Sequence, residues 1–261
     1  MVLIPRSPVL TPPRLLAPRL FAPGKRDDYL WRIRSVRPGN LIGLWALDEL
    51  NGGIAHDLSG RGHNGTVIGA DPAKQGIGDG RTCMWFDGST DYVNIYSAAL
   101  AATFNGAQGS LGTWGKTSPG VWTDGAAHGL ARLAADASAN TLQISKEITN
   151  NIIRVAYVAG NVSMTWTSLL ATSGFFNIFL TWDAVANKAC AYLNGVQLGA
   201  TKTGLGTWAG ALSNIRCTLG ATSTVPTGVF AGWLGPTALW TCALSHEEIE
   251  YLGPRALGLA A

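Results

Sequence analysis

FFNIFLTWDAVANKACAYLNGVQLG, residues 175–199, alternates in a way that decides the fold class. Phe176, Ile178, Leu180 and Trp182 fall on one face by period two, and Phe175, Asn177, Phe179 and Thr181 fall on the other. That pattern predicts a central strand with one core face and one half-covered face. DAVANK then turns the chain and ACAYL returns it. Asn194-Gly195 follows, a two-residue hairpin signal, because both central positions of a type I′ turn need positive φ. Upstream, TLQISKEI, IIRVAYVAG and VSMTWTS are strand-like runs separated by Asn150-Asn151 and Gly160-Asn161. With 33 Gly, 13% charged residues and 47% hydrophobic residues including ten Trp, the chain has many tight turns and enough apolar mass for one large core.

Four segments, in order, carry a family resemblance. They are LIGLWALDELNGGIAHDLSGRGHNGTVIG (41–69), RTCMWFDGSTDYVNI (81–95), the 175–199 stretch, and GVFAGWLGPTALWTCALSHEEIEYLG (228–253). Together they resemble a laminin-G-like domain. The resemblance implies an all-β, antiparallel two-sheet β-sandwich of the concanavalin-A-like jelly-roll type. Gly235-Pro236 departs from the family pattern and predicts an edge or a bulge in the last long strand. Residues 100–140 match less clearly and are expected to hold loops peculiar to this protein. Ser245 and Glu248 form a capping-box pattern closed by Gly253-Pro254, which predicts one short C-terminal helix over residues 246–252.

Residues 1–38 differ in kind from the rest. They hold seven of the twelve prolines, and eight basic residues against Asp27 and Asp28, net +6; the total of +3 leaves −3 for residues 39–261. The prolines predict an extended arm over about residues 1–24. Asp27 and Asp28 at one end of RDDYLWRIRSVR, with Arg34 and Arg37 at the other, suit a short helix within 26–37, with a strand as the alternative. The domain reading is therefore a docking arm at 1–38, with Arg6, Arg14, Arg19 and Arg26 as docking residues, and a jelly roll at 39–261. Prolines and arginines interrupt every apolar run near the start, so neither a secretion signal nor a membrane span is read there. The acidic balance of residues 39–261 disfavours a nucleic-acid-binding surface.

Catalytic patterns are sparse. No Glu-x-Asp or Glu-x-Glu pair sits in an expected central strand, as a glycosidase of this fold class needs. Glu247, Glu248 and Glu250 read as helix-start residues, and His246 lacks the second histidine of a zinc helix. His56, His63 and His128 read as turn residues. No cofactor is expected; calcium is the alternative, since Asp48, Asp57, Asp87, Asp91 and Asp183 adjoin turns, where Asp also caps neighbouring N–H groups. Cys83, Cys190, Cys217 and Cys242 lack metal spacing and read as small buried thiols, two disulfides being the alternative. Trp45, Trp85, Trp166, Trp182, Trp233 and Trp240 lie in strand patterns and read as core. Trp114, Trp122 and Trp208 lie among Gly, Ser and Thr and read either as buried loop anchors or as a glycan platform.

Three function classes follow. The leading expectation is a non-catalytic virion structural protein, a bacteriophage capsid decoration, head-fibre or tail-associated subunit. It would be a multicopy or homo-oligomeric component assembled in the host cytoplasm, with other capsid or tail subunits as partners. The alternative is a carbohydrate-binding, lectin-like module for host glycan attachment. An enzyme ranks last on site content.

Overall fold

The computed structural model describes residues 29–72 and 75–254. In chain order, helix α1 (Tyr29–Ser35) precedes β1 (Leu41–Trp45), β2 (Ile54–Ala55), β3 (Gly65–Ile68), β4 (Asp71–Pro72), β5 (Met84–Asp87) and β6 (Tyr92–Asn94). Helix α2 (Ala98–Thr103) leads to β7 (Gln108–Thr117), a single 3-10 turn (Val121–Thr123), β8 (His128–Ala134), β9 (Asn140–Lys146), β10 (Ile152–Ala159) and β11 (Val162–Leu169). Then come β12 (Phe176–Asp183), β13 (Lys188–Leu193), β14 (Val196–Gln197), β15 (Cys217–Leu219), β16 (Ala231–Trp240) and helix α3 (His246–Tyr251).

These strands form two antiparallel sheets packed as a sandwich, with the three short helices at its margins. The first runs β14-β13-β12-β7-β16-β5-β4, with β1 also on β16; the second runs β11-β10-β9-β8-β15-β6-β3-β2. The all-β, two-sheet architecture is the one the resemblance implies, and the short C-terminal helix is the one the capping box predicts. Asn194 and Gly195 adopt φ of 53° and 79° between β13 and β14, the positive values a type I′ turn requires. Ser245 accepts from the Glu248 N–H while the Glu248 carboxylate accepts from the Ser245 N–H, so the capping box is complete.

β16 holds the first sheet together. Its first half pairs with β5 (Ala231↔Asp87 to Leu234↔Met84) and its second half with β1 (Trp45↔Thr237 to Leu41↔Trp240). Its register against β7 breaks between Leu234 and Thr237, where Gly235-Pro236 sits. Pro236 has no N–H to offer a ladder, so the break falls where the ladder is weakest and the predicted bulge is present.

Two expectations need correcting. Residues 108–117 are no loop: they form β7, flanked by β12 and β16 at the centre of the sheet. Its glycines conceal the alternation because they make room for aromatic rings. A Cβ on Gly109 would stand 2.4 Å from the Trp182 ring, and one on Gly112 would stand 2.1 Å from the Phe179 ring. Second, the outer face of β12 is covered beyond the half expected, with Phe175, just before the strand, left half-buried. Asn177, Phe179 and Thr181 are all buried.

That outer face carries a second core. Phe176, Ile178, Leu180 and Trp182 pack between the sheets, whereas Phe179, Trp114, Trp240 and Tyr192 pack under Tyr29, Leu30 and Ile33 of α1 and Ile249 of α3. The Tyr29 hydroxyl donates to Leu252 O at 2.8 Å, and the Trp240 indole donates to Val36 O at 3.0 Å. Arg37 pairs with Glu248, joining the chain just after α1 to α3. The helix within 26–37 thus forms, not the strand, and residues 29–36 are built into the sandwich.

Candidate functional site

The described residues do not seal the outer face of the first sheet along its whole width. Where the helices stop, direct cross-strand pairing sets Trp85 of β5 opposite Trp233 of β16, and Trp233 opposite Lys116 of β7. Phe175 follows on the next strand, one residue before the Phe176↔Gly115 pair. Residues directly opposite in a ladder point to the same side, so these four side chains form one row across the sheet. Met84, Phe86 and Leu234 take the inward positions and Trp85 and Trp233 the outward ones. All four row residues are half-buried.

Lys116 is held at the centre of this row. Its Nζ lies 5.2 Å from the Trp233 ring centroid and 5.7 Å from that of Phe175, within cation–π range of both. It donates to Gln75 Oε1 at 2.7 Å. Beside it opens a cleft of about 520 Å³, bounded by Trp233, Lys116, Gln75, the 118–123 segment, Asn151 and residues 171–173. Lys116 is the only ionisable residue among the described ones that line it.

The wall opposite Trp233 is fixed from behind. Trp122 is 8% exposed, packs against Phe176 at 5.8 Å between centroids, and donates its indole N–H to Thr172 O at 2.9 Å. Two residues on, Asp124 accepts from Lys146 Nζ at 2.6 Å, from the Ala126 N–H at 2.9 Å and from His128 Nε2 at 2.7 Å. Burial pushes the Asp124 carboxyl up, but these donors together outweigh it and hold the carboxyl below its ordinary value. The Lys146 side chain is 0% exposed, so this loop closes over a buried cation. His128 opens strand β8 and is buried, with Nδ1 on Val229 O; it is not a turn residue.

The structure separates the three tryptophans proposed as a platform. Trp114 is 1% exposed, under the edge of Tyr29 with ring centroids 5.5 Å apart, so no ring face remains for a sugar. Trp208 is half-buried against Phe104 at 5.4 Å, away from the cleft, and its indole donates to Gly210 O at 3.2 Å. Trp122 alone reaches the cleft. Trp233 and Trp85, assigned to the core from sequence, are instead the aromatics on the open face. Arg6, Arg14, Arg19 and Arg26 lie outside the described residues.

The aspartates considered for calcium are engaged by their own chain. Asp57 accepts from the N–H groups of Leu44, Ser59 and His63, Asp87 from those of Ser89 and Thr90, and Asp183 from that of Ala186. Asp91 accepts from the Asp87 N–H, and Asp48 pairs with Arg81. Among the described residues no group of three or more His, Cys, Asp or Glu is placed to hold a metal ion. All four cysteines are free thiols, three of them buried; burial pushes Cys83 and Cys217 up to about 12. Among the described residues no helix is long and apolar enough to cross a membrane.

No protein-family model and no curated protein matches the chain. Solved structures share its fold. Domain 4 of AbnA, a GH43 extracellular arabinanase from Geobacillus stearothermophilus solved in complex with arabinotriose, superposes at TM-score 0.56 and 16% identity, over 82% of this chain and 98% of that domain. The botulinum neurotoxin serotype D binding domain gives 0.60 at 15% identity, over 84% of this chain and 52% of that one. A Trypanosoma rangeli sialidase mutant displaying trans-sialidase activity gives 0.61 at 14%, over 87% and 35%. The chain therefore spans about half of the toxin domain and a third of the sialidase. At these identities the likeness establishes the β-sandwich fold.

Proposed function

We propose that the chain is a non-catalytic, glycan-binding module of laminin-G-like type whose site is the cleft beside Trp233. The observation that carries this reading is the row Trp85, Trp233, Lys116 and Phe175, of which Trp233 and Lys116 line a cleft whose other polar side chains are mostly amides and hydroxyls. An aromatic ring offers an apolar face to the C–H side of a sugar, while the convergent polar groups of Gln75, Asn151 and Thr172 serve its hydroxyls. Among its described lining residues the cleft has no carboxylate, whereas glycoside hydrolysis usually needs two. That an arabinotriose-bound domain shares the fold supports sugar binding as a use of this architecture.

The test is titration calorimetry of the full chain against saccharides chosen from a glycan array. Trp233→Ala is expected to weaken binding about tenfold or more. Trp233 also packs against the second core, so a single cooperative unfolding transition in the variant is the check that the fold survives before its binding is read. A chain that recognises no saccharide, or a Trp233→Ala variant that binds as the parent does, overturns the reading.

A second reading, compatible with the first, makes the chain a bacteriophage structural subunit carried into the virion by its arm. The net +6 and seven prolines of residues 1–38 favour it. Removal of residues 1–24 is then expected to abolish co-sedimentation with purified particles while leaving the circular-dichroism spectrum of the sandwich intact. Undiminished co-sedimentation sinks the docking role.

A further inference from the structure

We infer that the cleft recognises an acidic sugar, placing a carboxylate on Lys116 Nζ while the ring lies against Trp233. This deepens the glycan reading and rests on it. Three observations on Lys116 point the same way.

The first is its isolation. Among the described residues that line the cleft, none carries a charge to oppose it, and its hydrogen-bond partner, Gln75, is neutral. Gln75 orients the ammonium without neutralising it, so Lys116 keeps its full attraction for an anion.

The second is its placement. Lys116 sits between the Trp233 and Phe175 rings at 5.2 and 5.7 Å and is half-buried. A lysine on an open surface moves its charge freely over a long stem, whereas here two rings and one amide fix it. In partly dry surroundings a carboxylate within hydrogen-bond distance interacts more strongly than it would in bulk water. The fixed position also sets one distance between the charge and the stacking face of Trp233. A saccharide that bears its carboxylate on the stacked ring satisfies both contacts; a neutral saccharide satisfies one.

The third is the charge around the site. With α1 built into the sandwich, residues 29–261 carry 14 basic and 14 acidic residues and no net charge, and the far end of the same row, across from Trp85, carries the exposed Asp71. A surface for polyanions needs many cations along a track. One cation among the described lining residues, with Asp71 at the end of the row, instead reads one carboxylate at one position and disfavours densely charged chains.

The experiment pairs each acid-terminated oligosaccharide with its own methyl ester, so that only the charge differs, and titrates both into the full-length chain, Lys116→Met and Trp233→Ala. The parent is expected to bind the acid about ten- to a hundredfold more tightly than the ester, with the margin shrinking as salt rises. Lys116→Met keeps the stem between the rings; it is expected to bring the acid down to the ester's affinity and leave the ester unchanged. Equal affinity for acid and ester, with both lost in Trp233→Ala, overturns this inference and leaves the glycan reading standing. Binding of neither overturns the glycan reading and this inference with it. Sulfate esters of the same sugars that bind as tightly as the carboxylates overturn the carboxylate assignment.

Discussion

Asp124→Ala is expected to cost about 1–3 kcal/mol of folding stability, because it strips the carboxylate from the buried Lys146 ammonium, the effect being moderated by the 32% exposure of the Asp124 side chain. The Lys146 side chain has no exposure, and the Ala126 carbonyl, 2.7 Å from Nζ, is the partner that would remain. The asymmetry of buried pairs gives a sharper version: breaking a pair costs far more than removing it whole. The double variant Asp124→Ala, Lys146→Met should therefore be more stable than Asp124→Ala alone. Urea unfolding of the three proteins at pH 7 decides it, and a double variant as unstable as the single one sinks the account.

The same carboxyl gives this prediction a pH signature. Its folded value lies below the ordinary 3.8, so its contribution to stability is fully present above the unfolded value and is lost as pH falls through the folded one. The gap between parent and Asp124→Ala should thus be constant near neutrality and narrow below pH 3.8. Trp122, two residues away, walls the cleft, so weakened saccharide binding by Asp124→Ala should accompany the lost stability.

Period two was legible wherever side chains were large on both faces. In β12 the inward set Phe176, Ile178, Leu180 and Trp182 could be read directly, and Asn194-Gly195 and Ser245-Glu248 each encode a local geometry within four residues. β7 failed the same test because Gly109 and Gly112 leave their positions to Trp182 and Phe179, rings supplied from elsewhere in the sequence. Alternation carries no record of side chains lent by a neighbouring strand. Trp114, on that strand, reads from sequence either as a buried anchor or as a glycan platform, and at 1% exposure it is the buried anchor.

The cleft was hidden for a related reason. Trp85 and Trp233 occupy strands whose neighbours Met84, Phe86 and Leu234 are core, and an aromatic between core positions reads as core itself. Parity alone gives the outward direction: in Met84-Trp85-Phe86 the tryptophan must face away from its neighbours. Parity does not say whether the outer face is covered. That depends on α1 and α3, which come from opposite ends of the sequence, with contacts such as Tyr29 to Leu252 spanning 223 residues.

A chain beginning at Arg37, and so lacking α1, is expected to lose cooperative folding. Tyr29, Leu30, Ile33 and Val36 are each buried, and at roughly 1.5–3 kcal/mol per large apolar side chain their removal costs about 6–12 kcal/mol. Domains of this size are typically stable by only about 5–15 kcal/mol. The loss also uncovers Trp114, Phe179 and Trp240, so the shortened chain should bind a hydrophobic dye and unfold over a broad range of urea. A milder variant guards against an uninformative failure: Ile33→Ala removes part of the same contact and should cost about 2–4 kcal/mol while preserving a single transition. A shortened chain that unfolds as sharply and as late as the parent would mean that the outer face needs no cover. The two ends of that face then have different uses for the same chemistry. Under α1 and α3 the aromatics Trp114, Phe179 and Trp240 are held by the protein's own chain, whereas at Trp85, Trp233 and Phe175 no helix of the described residues arrives, and these rings with Lys116 among them are the surface proposed for a ligand.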